Sequence, residues 1–411
     1  MRSTLAVLLL AGATGLARAE QEAKGFDLVD SGKVDAAIKK GCEFLKTAAS
    51  PGAHRGIKNC DELIALTLIE GGVPVTDPAV DKYLQAMLAS PLERTYNVVL
   101  TAMVLEEVDR VKYQERIWQC AQFLVDNQCG NGQWAYGEPT DAIKNVPTGG
   151  NARKDVASAG GAVAPPKPGD YNAAPAKPKV LRKIPVARTK QGPGAGDNSN
   201  SQYAALGLRA CYDSGIKIPE DVILLSKKWW YDSQHPGSEE KKKNPDVATG
   251  PGAAEIGGTP RGWCYQDGYG VCKGGSAYGS MTAGACGAIV IYDYMQGREW
   301  KRNTAVKNGM AWLAANWSVT ENKGPAEVHE GAPNAFLYYY LYAVERLGML
   351  YDTGKIGGHL WYPEGAKVLL DAQKPDGSWE ASEPKMPTWD TCFAILFLKR
   401  ATRPLVATGG K

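Results

Sequence analysis

Gln128-Cys129-Gly130-Asn131-Gly132-Gln133-Trp134 and Gln373-Lys374-Pro375-Asp376-Gly377-Ser378-Trp379 share one pattern, Q-x-x-x-G-x-W, although they stand far apart in the chain. Each closes a stretch in which apolar residues recur at three- and four-residue spacing, the mark of an amphipathic helix. A third copy is split, with Gln234 ahead of a polar insertion and Gly262-Trp263 behind it. The pattern has a physical reading. Gly permits a sharp turn after a helix, Trp covers the helix end, and the Gln amide reaches orphan backbone groups at a neighbouring helix terminus. Gln128, Trp134, Gln373 and Trp379 therefore belong to the framework rather than to a site.

The segments around these motifs alternate in character. Ile38, Cys42 and Leu45 mark an amphipathic helix, and the run Leu63 to Ile69 that follows is apolar on every side. Further amphipathic segments begin near Val80, Tyr113, Glu220, Lys301 and Gly358, and a more apolar one follows each, near Tyr96, Ser201, Tyr278, Asn334 and Thr391. Strand-type alternation is almost absent. Gly72-Val73-Pro74-Val75 resembles Gly215-Ile216-Lys217-Ile218-Pro219, a glycine helix end leading into a proline-marked start. The fold class is thus all-α, built from about six helical hairpins. Such hairpins close most naturally into a double-walled ring with the amphipathic helices outside, and an open solenoid is the competing geometry.

Two stretches interrupt the repeat: 137–198, rich in Pro, Gly, Ala and Lys, and 236–260, which carries Glu239-Glu240-Lys241-Lys242-Lys243. The first cannot bury enough apolar surface to fold by itself. Both are expected as flexible inserts on one face of a single domain over 20–411, as solvated decoration or as a lid over the ring mouth.

The chain has 411 residues, 44% of them hydrophobic and 22% charged, with 47 Lys and Arg against 44 Asp and Glu. That balance excludes disorder as the main state and gives no electrostatic footprint for nucleic acid. Eleven Trp and nineteen Tyr against six Phe favour amphipathic rings that line a surface or cavity. Arg2, the apolar run Leu5 to Leu10 and Ala17-Arg18-Ala19 read as a signal peptide over 1–19, with the mature chain starting at Glu20. No other stretch is long and apolar enough to span a bilayer. Loss of Arg2 and Arg18 lowers the formal net charge from +3 to +1, which removes polybasic membrane attachment. The expected location is periplasmic or extracellular, where a cell-envelope protein is one class of partner.

Nine cysteines in an oxidising compartment admit disulfides, and the odd count leaves at least one thiol over unless it pairs between chains. Cys42 with Cys60, and Cys264 with Cys272, bracket short local loops and are the easiest pairs to close. Cys211, Cys286 and Cys392 fall inside apolar helical runs and read as small buried side chains.

In this helical context the Q-x-x-x-G-x-W copies resemble the QW motif of the squalene-hopene and oxidosqualene cyclase superfamily, the prenyltransferase/squalene oxidase repeat proteins. The resemblance covers nearly the whole mature chain through its repeat and implies an α/α toroid. It carries no activity with it, because unrelated chemistries share that fold. Class II terpene cyclases protonate their substrate with an Asp of D-x-D-D, and neither that tetrad nor the D-D-x-x-D of diphosphate-using enzymes occurs here. Gly41-Cys42-Glu43-Phe44 departs from the thioester motif G-C-G-E-Q at its third position. The protein prenyltransferase β-subunits bind zinc through an Asp, a Cys two residues later and a distant His. That resemblance offers Asp390, Cys392 and His329 as zinc ligands, chemically suitable ones; a helix-capping Asp with a buried Cys is the alternative. No other cofactor is expected.

If successive helices alternate in direction, all six apolar helices start at one mouth of the ring, where N-terminal dipoles and free N–H groups gather. The residues expected there are Asp61, Arg94 to Tyr96, Asn198 to Ser201, Ser276 to Tyr278, His329 to Asn334 and Asp390, the polar rim of an aromatic-lined cavity. Trp263, Tyr265 and Tyr269, with Tyr278 and Asn334, are the candidate ligand contacts, suited to a sugar ring or a hydrophobic polycycle. Tyr338, Tyr339, Tyr340 and Tyr342 take different faces of one helix, so at least one faces the cavity. Two functions fit. One is an exported binding protein for a small lipid or glycan. The other is an enzyme with His329, Asp390 and Tyr339 as catalytic candidates. It would act on a polyprenyl or triterpene lipid, or as an acidic-glycan lyase in which His329 and a Tyr move protons while Arg94 or a metal neutralises a uronate.

Overall fold

The computed structural model describes residues 24–48, 60–144, 177–235, 256–265, 277–324, 334–381 and 385–405. The expected signal peptide, 1–19, lies outside them, as do Tyr269 and His329. Helix predominates. In chain order the α-helices are α1 (Ser31–Thr47), α2 (Asp61–Glu70), α3 (Pro78–Ala89), α4 (Thr95–Asp109), α5 (Gln114–Asp126), α6 (Asn198–Asp213), α7 (Glu220–Asp232), α8 (Gly279–Met295), α9 (Thr304–Ala315), α10 (Leu337–Tyr351), α11 (Trp361–Ala372) and α12 (Pro387–Lys399). Every segment expected from periodicity is a helix. The one expected near Thr391 starts earlier, at Pro387, whose fixed φ suits a first turn. Side-chain caps set other starts: Asp30 accepts from Lys33 N at 3.1 Å, Asp77 from Ala79 N at 2.9 Å, and Asn303 from Ala305 N at 3.0 Å. Among the described residues no helix is long and apolar enough to cross a membrane.

Burial separates the helices into two sets. Most odd-numbered ones bury one face, although α5 buries every residue from Cys120 to Asp126, whereas α8, for instance, buries every residue from Gly279 to Asp293. The even-numbered helices pack on one another in sequence, α2 on α4, α4 on α6, α6 on α8, α8 on α10 and α10 on α12, and α12 packs back on α2. Each odd helix lies against an even neighbour: α3 on α2, α5 on α4 and α6, α7 and α9 on α8, α11 on α10 and α12, and α1 on α12 and α2.

The three tryptophans of the repeated motif do the same work. Trp134, Trp263 and Trp379 are fully buried. Their indole N–H groups donate to Leu124 O of α5 (2.8 Å), Trp230 O of α7 (2.9 Å) and Leu369 O of α11 (2.8 Å). Each acceptor is among the last four carbonyls of its helix, which have no intrahelical donor. Their backbone N–H groups donate to hydroxyls near the start of the next even helix, Ser201 (3.0 Å), Thr282 (3.1 Å) and Thr391 (2.9 Å). The glutamines act otherwise than expected. Gln128, Gln234 and Gln373 donate to Val222 O of α7, Ala305 O of α9 and Ala37 O of α1, at 2.8, 2.9 and 2.9 Å. Those carbonyls stand in the forward parts of their helices and already accept intrahelical bonds, so the glutamine takes a second lone pair and joins one hairpin to the next. Gly132 and Gly377 have φ +97 and +91, and a Cβ there would stand 2.3 Å from Leu225 O and 2.5 Å from Lys40 O.

Part of the first insertion is built into the fold. Ile184–Pro185 (β1) pairs in parallel with Ile216–Lys217 (β2), and Ile184 and Val186 are buried. Asp126, at the end of α5, accepts from Thr189 N at 2.7 Å, Thr189 Oγ1 at 2.8 Å and Thr140 Oγ1 at 2.9 Å. The segment 177–197 has too few apolar residues for a core of its own, but it docks on a finished helix, which composition alone does not reveal. A second short pair, Lys355–Ile356 (β3) with His359–Leu360 (β4), precedes α11.

Residues 402–405 cross the C-terminal ends of the even helices. Thr402 donates N–H and O–H to Glu345 of α10 at 2.9 and 2.7 Å, Arg209 of α6 donates to Arg403 O at 2.8 Å, and Arg403 pairs with Glu107 of α4. Lys177 joins the same cluster through Glu106 and Glu107.

The cysteine expectations divide. Cys264 is disulfide-bonded, and Cys272 lies outside the described residues. Cys42 and Cys60 are both free thiols, which corrects the pairing expected from their spacing. Cys60 is the N-cap of α2, whereas Cys42 abuts its far end, its Sγ 2.5 Å from where a Cβ on Gly71 would sit. Ten residues of helix span about 15 Å, well beyond disulfide reach. Cys211, Cys286 and Cys392 are free and fully buried, as expected.

Candidate functional site

The starts of the even helices are tied together by side chains. Asn97 Nδ2 of α4 donates to Glu62 Oε2 of α2 at 2.8 Å, and Tyr96 of α4 donates its hydroxyl to Ser199 Oγ of α6 at 2.6 Å. Ser199 Oγ and the Tyr339 hydroxyl of α10 are 2.6 Å apart, and Gln202 Nε2 donates to Tyr339 at 2.9 Å. Arg346 of α10 continues the chain inward, its Nη2 donating to Gln202 Oε1 at 2.8 Å. Beside this chain the Tyr136 and Tyr265 hydroxyls are 3.5 Å apart. Asp197, the N-cap of α6, accepts from Asn200 N and Nδ2, both at 2.7 Å.

Aromatic rings fill the space below. Tyr96 meets Tyr203 edge-on at 5.0 Å, Tyr203 stacks with Tyr339 at 6.1 Å, and Phe393 of α12 contacts Tyr339 and Tyr342 at 5.6 and 5.8 Å. The Arg346 guanidinium lies 4.3 Å from the Tyr342 ring centre and 5.2 Å from that of Tyr203. Its Nη1 is buried without a hydrogen-bond partner.

Burial governs the ionisable groups. It raises the phenols of Tyr96, Tyr278 and Tyr339, with neighbouring phenols adding to the shift. It raises the Asp197 carboxyl against the hydrogen bonds from Asn200, and it pushes Glu62 up to about 7. The site therefore holds neutral hydroxyls and carboxyls driven towards their neutral form around one buried cation.

Tyr339, Tyr265 and Tyr278 are brought together as expected: Tyr278 caps α8, and Tyr339 and Asp197 both act on its phenol. Trp263 is not part of this group. It was expected to face a ligand, but its indole is spent on Trp230 O and packs edge-on against the Trp230 ring, 6.3 Å away. Asn334 stands just before α10, where its carbonyl accepts from Leu337 N at 3.1 Å. Asp390 lies in the first turn of α12, accepts from Ala381 N at 2.9 Å and also hydrogen-bonds the backbone of Met386 at the start of its own helix, so it ties the turn after Trp379 to that helix start. Burial pushes its carboxyl up to about 7.

Of the three zinc candidates two are described: Asp390 accepts from Ala381 N at 2.9 Å, and Cys392 has its thiol pushed up by burial, with Cys60, Cys42 and Asp390 adding to the shift against a hydrogen bond with Thr67. Among the described residues no three His, Cys, Asp or Glu side chains form a metal-binding group; His329 lies outside them.

Sequence reading missed Gln202, Tyr136 and Arg346. Gln202 and Arg346 are long polar residues that the fold buries, but α6 and α10 carry other polar residues as well, Arg209 and Glu345 among them, so neither stood out in the sequence. An open groove of about 410 Å³ between α7 and α9, lined by Tyr231, Gln234, Arg261 and Asn303, lies elsewhere, and its Gln234 is held by the split motif.

No family model matches the chain, and no curated protein is significantly similar to it.

Proposed function

We propose that the protein is an exported α/α toroid that binds a hydroxyl-bearing ligand, a glycan rather than a lipid, at the mouth where its even helices begin. The observation that carries this reading is the Tyr96–Ser199–Tyr339–Gln202 chain, drawn from three separate helices, with Tyr136 and Tyr265 beside it. Half-buried tyrosines offer an apolar face and a hydroxyl together, which is what a sugar ring requires. The cyclic order of the even helices, with the odd helices against them, supports a toroid over an open solenoid. A polyprenyl or triterpene ligand fits less well, because the groups gathered here are hydroxyls and amides that a hydrocarbon chain would leave unpaired. Binding is favoured over catalysis because the two described groups offered for proton transfer are engaged in separate hydrogen bonds: Tyr339 sits in the hydroxyl chain, while Asp390 holds Ala381 N.

The test is calorimetric titration of the purified protein with neutral and acidic oligosaccharides and, separately, with a polyprenyl alcohol in mixed micelles. Saturable saccharide binding that weakens in Tyr96→Phe and Tyr339→Phe is expected. Binding confined to the polyprenyl alcohol, or saccharide binding unchanged in both variants, refutes the proposal.

A further inference from the structure

We infer that the ligand of this mouth carries a carboxylate, received by Nη1 of Arg346 and by a spare hydroxyl proton on the Ser199–Tyr339 pair. The inference rests on the binding reading above and narrows it to acidic saccharides.

Two separate shortages of acceptors lead to it. Arg346 is 3% exposed; its acceptors among the described residues are neutral, the amide oxygen of Gln202 and the Tyr203 hydroxyl, and Nη1 has none. Its sequence neighbour Glu345 is taken up by Thr402 N and Oγ1, and burial pushes that carboxyl up to about 7. The rings of Tyr203 and Tyr342 flank the guanidinium, and both phenols are neutral. Glu345 acts on the guanidinium from a distance but accepts no hydrogen bond from Nη1, and leaving a buried charged donor without an acceptor is costly.

The second shortage comes from counting protons. Tyr96 donates to Ser199, and one proton serves the Ser199–Tyr339 contact. Gln202 adds a further donor to Tyr339. Three hydroxyls therefore supply two bonds among themselves, and one proton, on Ser199 or on Tyr339, is left to give outward. Through Gln202 this spare donor and Nη1 belong to one connected network. An ionised carboxylate is all acceptor and answers both. A sugar hydroxyl brings a donor with every acceptor and leaves the cation uncompensated. With rings on its flanks the guanidinium is approached along its edge, where two coplanar oxygens fit better than a tetrahedral oxyanion.

The experiment titrates the full chain with D-galacturonate, D-glucuronate and their short oligomers, each against its methyl ester, with inorganic phosphate and sulfate in parallel. The acids are expected to bind about tenfold or more tighter than the esters, the ratio one charge-assisted hydrogen bond supports. Arg346→Met should bring that ratio close to one while ester binding persists. Arg346→Lys, which keeps the charge but not the fork, should lose most of the preference and serves if the Met variant does not fold. Equal binding of acid and ester, or an acid preference that survives Arg346→Met, overturns the inference and leaves the saccharide reading standing. A preference for phosphate or sulfate overturns the carboxylate assignment. Failure of every saccharide refutes the underlying reading and the inference together.

Discussion

Trp379→Ala tests the framework at the place where the last hairpin meets the first. The indole is fully buried, its Cζ3 lies 2.9 Å from where a Cβ on Gly41 would stand, and its N–H holds Leu369 O at 2.8 Å. Emptying such a site costs about 3–5 kcal/mol, and stranding the carbonyl adds about 1–3 kcal/mol. Domains of this kind have about 5–15 kcal/mol in total, so the variant should be barely folded at room temperature. Trp379→Phe keeps most of the volume and removes only the donor, for about 1–3 kcal/mol. Because Trp134 and Trp263 make the same pair of bonds, their Phe variants should lose the same amount within about 1 kcal/mol. Urea unfolding followed by far-ultraviolet circular dichroism measures all of these. An unchanged midpoint for Trp379→Phe, or a loss at Trp134 several times that at Trp263, would falsify the argument that the indole serves an orphan carbonyl.

Two further outcomes follow from buried ionisable groups. Burial holds Glu62, Glu345 and Asp390 near 7 and Glu70 near 8, against ordinary values of 4.5, 4.5, 3.8 and 4.5. Between about pH 4.5 and 8 the folded chain thus binds more protons at these groups than the unfolded chain, so their contribution to stability is full at the acid end and lost as pH rises. The Tm should be higher at pH 5.5 than at pH 8, with the difference reduced in Glu345→Gln; a Tm that climbs across this window contradicts the assignment. Seven thiols, Cys42, Cys60, Cys120, Cys129, Cys211, Cys286 and Cys392, are free and buried, with Cys42 and Cys120 pushed up to about 12. An aromatic disulfide reagent should leave them unreacted in the native protein and titrate all seven in denaturant without reductant. Prompt reaction of any one of them in the folded chain would place it at the surface.

Helices and their order were readable because period, caps and glycine ends agree in each segment. Trp134 and Trp379 were readable because each lies six residues after its glutamine. Trp263 was misread for the opposite reason: the insertion puts Gln234 and the α7 end far behind it, so its Gly-rich surroundings looked like a loop beside a ligand. The Cys42–Cys60 pairing failed because distance along the chain ignores that one thiol lies at each end of α2. Tyr338, Tyr340 and Tyr342 are buried and Tyr339 is half-buried, a distinction set by the packing of α10 against α8 and α12 and invisible in four aromatic letters. Arg346 was hidden for want of any local pattern; only its company with Tyr203, Tyr342 and Gln202 gives it meaning.

The return of α12 onto α1 and α2 has a consequence for biosynthesis. The first helices to be made are the last to find their neighbours, because a nascent chain halted before Pro387 leaves the apolar side of α2 and that of α10 uncovered at once. Nothing made early can be finished early. A long interval of exposed apolar surface follows, during which the growing chain depends on being held apart from other copies of itself. Thr402 and Arg403, which follow α12, then bind α10 and α4, so the contacts that join these two helices through them wait for the last helix to be made.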